Sequence, residues 1–159
     1  MERKRLAVLA SLVGLVAMVF VSQAVAQGST AVLKFHSANQ TFTGVGFNIN
    51  SNAAPPIGSQ FIVTLTLVNA VPQFGKPAGA KVGRVLLDCT ILSLNMPNGD
   101  GICSGIAHVP NGYLTFDGNG PFSTSKHQHY AITGGVGPYA NDRGQIRSGG
   151  GTAIVTLTR

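Results

Sequence analysis

The chain has 159 residues, a formal net charge of +6, only 10% charged residues and 21 glycines. Its cations are scattered rather than gathered in a stripe, and no aromatic residues interleave with them, which argues against a nucleic-acid-binding surface. Low charge with abundant Thr, Val, Ser and Gly points instead to an exported β protein, long enough to bury one core without a structural metal.

The first element is a leader. Arg3, Lys4 and Arg5 precede the uncharged run Leu6–Val21, and Ala24-Val25-Ala26 places small residues at the two positions a signal peptidase reads. Cleavage is therefore expected after Ala26, giving a signal peptide over 1–26 and a single domain over 27–159, located outside the cell or in a periplasm. As an uncleaved helix Leu6–Ala26 would just cross ~30 Å of hydrocarbon, but that reading leaves the Ala-x-Ala site without a purpose. The mature chain keeps Asp88, Asp100, Asp117 and Asp142 against eight Lys and Arg, a formal +4.

Strand-length apolar runs then recur between turn signals: 31–36, 61–69, 84–94, 102–109, 113–117, 127–133 and 152–158, with further strands plausible over 41–49 and 145–147. The intervening segments 53–58, 72–79, 97–101, 110–112, 118–121 and 149–151 are rich in Pro, Gly and Asn, which is turn chemistry. No mature segment has helical periodicity. Seven to nine strands joined by short turns make a meandering antiparallel barrel or a sandwich, and the pattern alone leaves the two open.

Cys89 and Cys103 allow two readings. Gly101-Ile102-Cys103-Ser104-Gly105 has the spacing of a nucleophile elbow, but that device needs a helix after the turn and none follows Gly105. An exported chain with two cysteines usually pairs them, and a hairpin of 84–94 with 102–109, centred near Met96, sets Cys89 opposite Cys103. A disulfide is the expected outcome.

In that register one hairpin face carries Val85, Leu87, Cys89 and Ile91 with Gly105, Ala107 and Val109. The other carries Arg84, Asp88 and Thr90 with Ser104 and His108, interrupted by Leu86 and Ile106. A charged face is normally the solvated outside of a sheet. Small ligand-binding barrels also place a few polar groups inside, and on that reading Arg84, Asp88 and His108 are the candidate acid, base and hydrogen-bonding residues. His127 and His129, two apart on a strand, share a face ~7 Å apart. They lack the third and fourth ligands a zinc site needs unless His36 or His108 joins them, so no metal is expected.

The densest motif is Ala131–Gly144. Gly134, Gly135 and Gly137 permit a tight turn out of a strand, Pro138 stiffens the exit, Tyr139 can fold back as a plug, and Arg143-Gly144 closes the segment. It lacks the Lys-Ser/Thr of a phosphate-binding loop. This order closely resembles the C-terminal signature of the dirigent and allene oxide cyclase superfamily, with Val136 where Thr is usual and Asp142 where Ala is usual. Upstream, Gly58–Phe61, Lys81–Arg84, Cys89-Thr90, Cys103 and Asn111–Gly118 follow in an order similar to exported bacterial members. The resemblance covers most of the chain after about Pro56. Departures fall on acidic positions: Ser37 after Phe35-His36, and Ser59 after Gly58, stand where relatives carry an acid.

The resemblance implies an all-β, eight-stranded antiparallel barrel whose lumen is filled by side chains or holds one small ligand. It also implies an activity, the binding of a small hydrophobic precursor whose coupling or cyclisation the barrel steers, isomerase-like and without a redox cofactor. A separate oxidase would supply any radical, and a homotrimer would be the assembly. Tyr139 and Arg143 belong to this signature with a structural job expected, the tyrosine packing against the barrel and Arg143 tying backbone carbonyls or Asp142 across the turn. A non-catalytic ligand-binding barrel or a surface module is the alternative, since acids used by active relatives are missing here.

Overall fold

The computed structural model describes residues 29–48, 55–93, 99–121 and 127–159. The leader expected over 1–26 and the hairpin centre at Met96 lie outside the described residues. Eight strands follow one another: β1 (Thr30–Val45), β2 (Gln60–Asn69), β3 (Lys81–Ile91), β4 (Asp100–Val109), β5 (Gly112–Pro121), β6 (Gln128–Val136), β7 (Arg143–Gly149) and β8 (Thr152–Thr158). Each pairs antiparallel with the next, and β8 returns to β1, so the sheet is a closed barrel. Closure removes every open sheet edge.

The run 31–36 and residues 41–45 of the run 41–49, which read as parts of two strands in the sequence, lie in the one strand β1. The pairing of β1 with β2 shifts between Ala38 and Thr41, and Asn39 there has φ 49°, a left-handed conformation that Asn tolerates. This bulge reverses the alternation along β1. Phe35 and Ser37 face the lumen before it, and Gln40 and Phe42 face it afterwards.

Alternation on the remaining strands sends one residue in two inward. Val63, Val85, Cys89, Cys103, Ala107, Leu114, Phe116, Tyr130, Ile132, Ile146, Val155 and Leu157 are all buried. The hairpin register is the one expected: Cys89 pairs with Cys103 and Arg84 with His108. The two cysteines form a disulfide with their Cα atoms 4.1 Å apart.

The two ends of the barrel are built differently. At one end the long β2–β3 connection folds under the lumen. Asn69, 1% exposed, donates from Nδ2 to the carbonyls of Gln73 (2.9 Å), Lys76 (3.2 Å) and Pro77 (3.3 Å). Gln73 Nε2 donates to Asn69 Oδ1 and to the Lys34 carbonyl, and Phe74 stacks on Phe35. On the same end a short 3₁₀ turn, Gly137–Tyr139, buries Tyr139, whose hydroxyl donates to the Pro110 carbonyl at 3.2 Å. Buried Asp142 accepts from Arg159 Nε at 2.9 Å, and Arg143 donates to the Asp142 carbonyl. The other end carries, among the described residues, the glycine turn between β7 and β8.

Candidate functional site: the barrel lumen

The lumen holds a cavity of about 310 Å³, at the lower edge of the size range of small-molecule sites. Its floor and one wall are apolar. Strands β2 to β5 contribute Phe61, Val63, Leu65, Leu67, Val85, Leu87, Ala107, Val109, Leu114 and Phe116, together with the disulfide. The polar lining comes from β1, β6, β7 and β8: Ser37, Gln40, Gln128, Tyr130, Ser148 and Thr152, beside the backbone of Gly149–Gly151. That glycine turn needs its residue type, because Gly150 and Gly151 have φ 58° and 74°. The hydroxyl of Ser37 donates to the carbonyl of Gly151, tying the bulged part of β1 to the turn.

Among the described residues, Tyr130 is the one ionisable side chain of the cavity lining. It is 7% exposed, and its hydroxyl donates to Gln128 Oε1 at 2.7 Å. Gln128 is itself fixed, its Nε2 donating to the Pro121 carbonyl at 2.9 Å. Burial pushes the Tyr130 phenol above its usual value, while a side-chain hydrogen bond with Ser148 pulls the other way. The ring is seated by Phe116, edge to face with centroids 5.4 Å apart. Gly118 makes room for it, since a Cβ at that position would lie 2.6 Å from the Tyr130 ring.

Arg84, Asp88 and His108 are brought together, with Arg84 and His108 direct cross-strand partners and Asp88 opposite Ser104. All three are exposed and none lines the cavity, because the disulfide fixes the opposite parity inward. The polar hairpin face is thus the outside of the barrel, and His108 packs there beside Tyr113, with centroids 5.9 Å apart. His127 and His129 are exposed as well, and among the described residues no group of three or more His, Cys, Asp or Glu could hold a metal. Gly134 and Gly135 lie in β6. Gly137 and Gly144 have φ 72° and 146° around the Tyr139 turn, and side chains there would strike the backbone of Asn111 and Thr156. The signature therefore builds the closed end of the barrel rather than the lumen.

Sequence reasoning passed over Tyr130 and Gln128. The available signal was strand parity, because His127 and His129 facing outward leave Gln128 and Tyr130 facing inward.

No family model matches the sequence, and no curated protein matches it significantly. Solved structures do match. A pyocyanin demethylase is similar with a TM-score of 0.59 at 20% identity, over 81% of this chain and 98% of that one. The pterocarpan synthase dirigent protein GePTS1 gives 0.58 at 16% identity, over 83% of each chain. The Diels-Alderase AbmU from Streptomyces koyangensis gives 0.57 at 16% identity, over 91% of this chain and 78% of that one. These likenesses establish the fold, a closed eight-stranded antiparallel barrel similar to those of a dirigent protein and a Diels-Alderase.

Proposed function

We propose that the protein is an exported dirigent-like barrel that binds a small hydrophobic precursor in its lumen and steers its coupling or cyclisation. The observation that carries this reading is the cavity of about 310 Å³, apolar along β2 to β5 and carrying hydrogen-bonding groups on the opposite side. Support for the reaction class comes from structural neighbours described as a dirigent protein and a Diels-Alderase. The leader over 1–26, the buried disulfide and the low charge support export.

Confinement is the mechanism. An apolar wall holding one face of a reactive precursor restricts the geometries in which two of its atoms meet, so product stereochemistry follows lumen shape. Proton movement, where needed, falls to Tyr130, since Arg84, Asp88 and His108 lie on the outer face and do not reach a ligand inside. A radical coupling would need a separate oxidase, and three copies of the barrel would be the assembly. Passive capture of the ligand is the second reading, favoured by the lack of carboxylate or imidazole among the described residues of the cavity lining.

Mass spectrometry of small molecules extracted from protein purified from its own source would identify the precursor. Chiral chromatography of the product formed with and without the protein then measures steering. A changed isomer ratio is expected. Identical mixtures, with the ligand still bound, would leave passive capture as the function.

A further inference from the structure

The lumen has two unlike sides, and the difference selects a ligand. From β2 to β5 every lining side chain is apolar or part of the disulfide, so that side offers nothing to a polar group. Hydrogen-bonding side chains are confined to β6, β7, β8 and β1. Among the described residues no Asp, Glu, Lys, Arg or His lines the cavity. A charged ligand group would lose its water without gaining a counter-charge from these residues.

Within the polar side the hydrogen bonds have a direction. Ser148 is bonded to the phenol of Tyr130, and the phenol proton points to Gln128 Oε1. Gln128 is anchored through its nitrogen to Pro121 and can lose this contact without losing its place. An incoming group that accepts would take this proton over from Gln128 Oε1, 2.7 Å away, by a turn of the hydroxyl. The matching partner is an oxygen that only accepts.

We propose that the lumen takes an uncharged, largely apolar ligand bearing a carbonyl group, apolar end first, and that Tyr130 grips the carbonyl oxygen. This rests on the reading of the lumen as a small-molecule site. Tyr130 here is a binding residue that sets which way the ligand points.

The test compares three naphthalene probes of similar size on the full-length oxidised protein: 2-acetylnaphthalene, 2-ethylnaphthalene and 2-naphthoate. The chain has no tryptophan, so probe fluorescence is read without interference. The ketone should bind about tenfold tighter than the hydrocarbon, the worth of one neutral hydrogen bond. The carboxylate should bind at least about tenfold more weakly than the ketone. Tyr130→Phe should abolish the ketone preference and leave hydrocarbon affinity unchanged. The infrared carbonyl stretch of ketone bound to the unmutated protein should show a hydrogen-bonded shift, a readout that does not depend on the variant folding. Equal binding of ketone and hydrocarbon, a ketone preference that survives Tyr130→Phe, an unshifted stretch, or naphthoate binding as well as the ketone would each overturn the assignment of Tyr130. Ala107→Phe, which fills the lumen, separates the two levels. If hydrocarbon binding is absent, or is unaffected by Ala107→Phe, the lumen reading itself falls.

Discussion

The two ends of the barrel are held by different chemistry. The closed end is fastened by hydrogen bonds: Asn69 to three carbonyls, Gln73 to Asn69 and Lys34, Tyr139 to Pro110, and Asp142 to Arg159. Near the other end, the β3–β4 hairpin is stapled by a disulfide two residues from its last paired position, Ile91 with Gly101, and the β7–β8 turn is glycine. The contrast teaches that one end of this barrel is held by polar contacts between residues distant in sequence and the other by a covalent link within one hairpin.

Breaking the staple should have the largest effect. Replacing Cys89 and Cys103 together by Ala releases a closed loop with a sequence separation of 14. The chain-entropy cost is about 3 kcal/mol, read by urea denaturation. Hydrogen exchange should rise first in β3 and β4 near Ile91 and Gly101. Uniform loosening of both ends would mean that the staple does not act locally.

Asn69→Ala attacks the other end. It removes the side-chain bonds to three carbonyls, each of which keeps a backbone N–H, and takes the acceptor from Gln73 Nε2, so a loss of about 2 kcal/mol is expected, with ligand affinity nearly unchanged. If affinity falls with stability, the ends are coupled and the contrast drawn here is too sharp.

Alkaline pH probes both ends through their tyrosines. Tyr130 toward the other end and Tyr139 in the closed end are both raised above 10.0, chiefly by burial. The folded protein holds these protons more tightly than the unfolded chain. Their contribution is therefore fully present below pH 10.0 and is lost as pH rises through the folded values. Urea midpoints should be flat with respect to these groups up to that pH and fall beyond it. Tyr130→Phe should make the fall shallower. An unchanged slope would mean that Tyr130 does not ionise with unfolding.

The smallest effect is expected at Asp88, exposed on the outer face. Asp88→Asn should change stability by under ~0.5 kcal/mol and leave probe binding and product ratio unaltered. A lost or altered product ratio would restore the outer hairpin face as a functional surface.

Much of this architecture was legible before any fold was known. Alternating apolar runs and Gly, Pro and Asn turns specified an all-β meander, because strand periodicity and turn conformation are local properties of the chain. The pairing of Cys89 with Cys103 was equally local, since a hairpin register carries it from one residue to its partner. What the sequence by itself suggested but did not decide was parity, that is, which face of each strand looks inward. Barrel closure decided it, turning Arg84, Asp88 and His108 outward and Gln128 and Tyr130 inward, and adding a bulge at Asn39 that joins two apparent strands. The closed end was hidden for a related reason. Lys34, Asn69 and Gln73 meet across as many as 39 residues, and Asp142 meets Arg159 across 17, so only the folded barrel brings these donors to their acceptors.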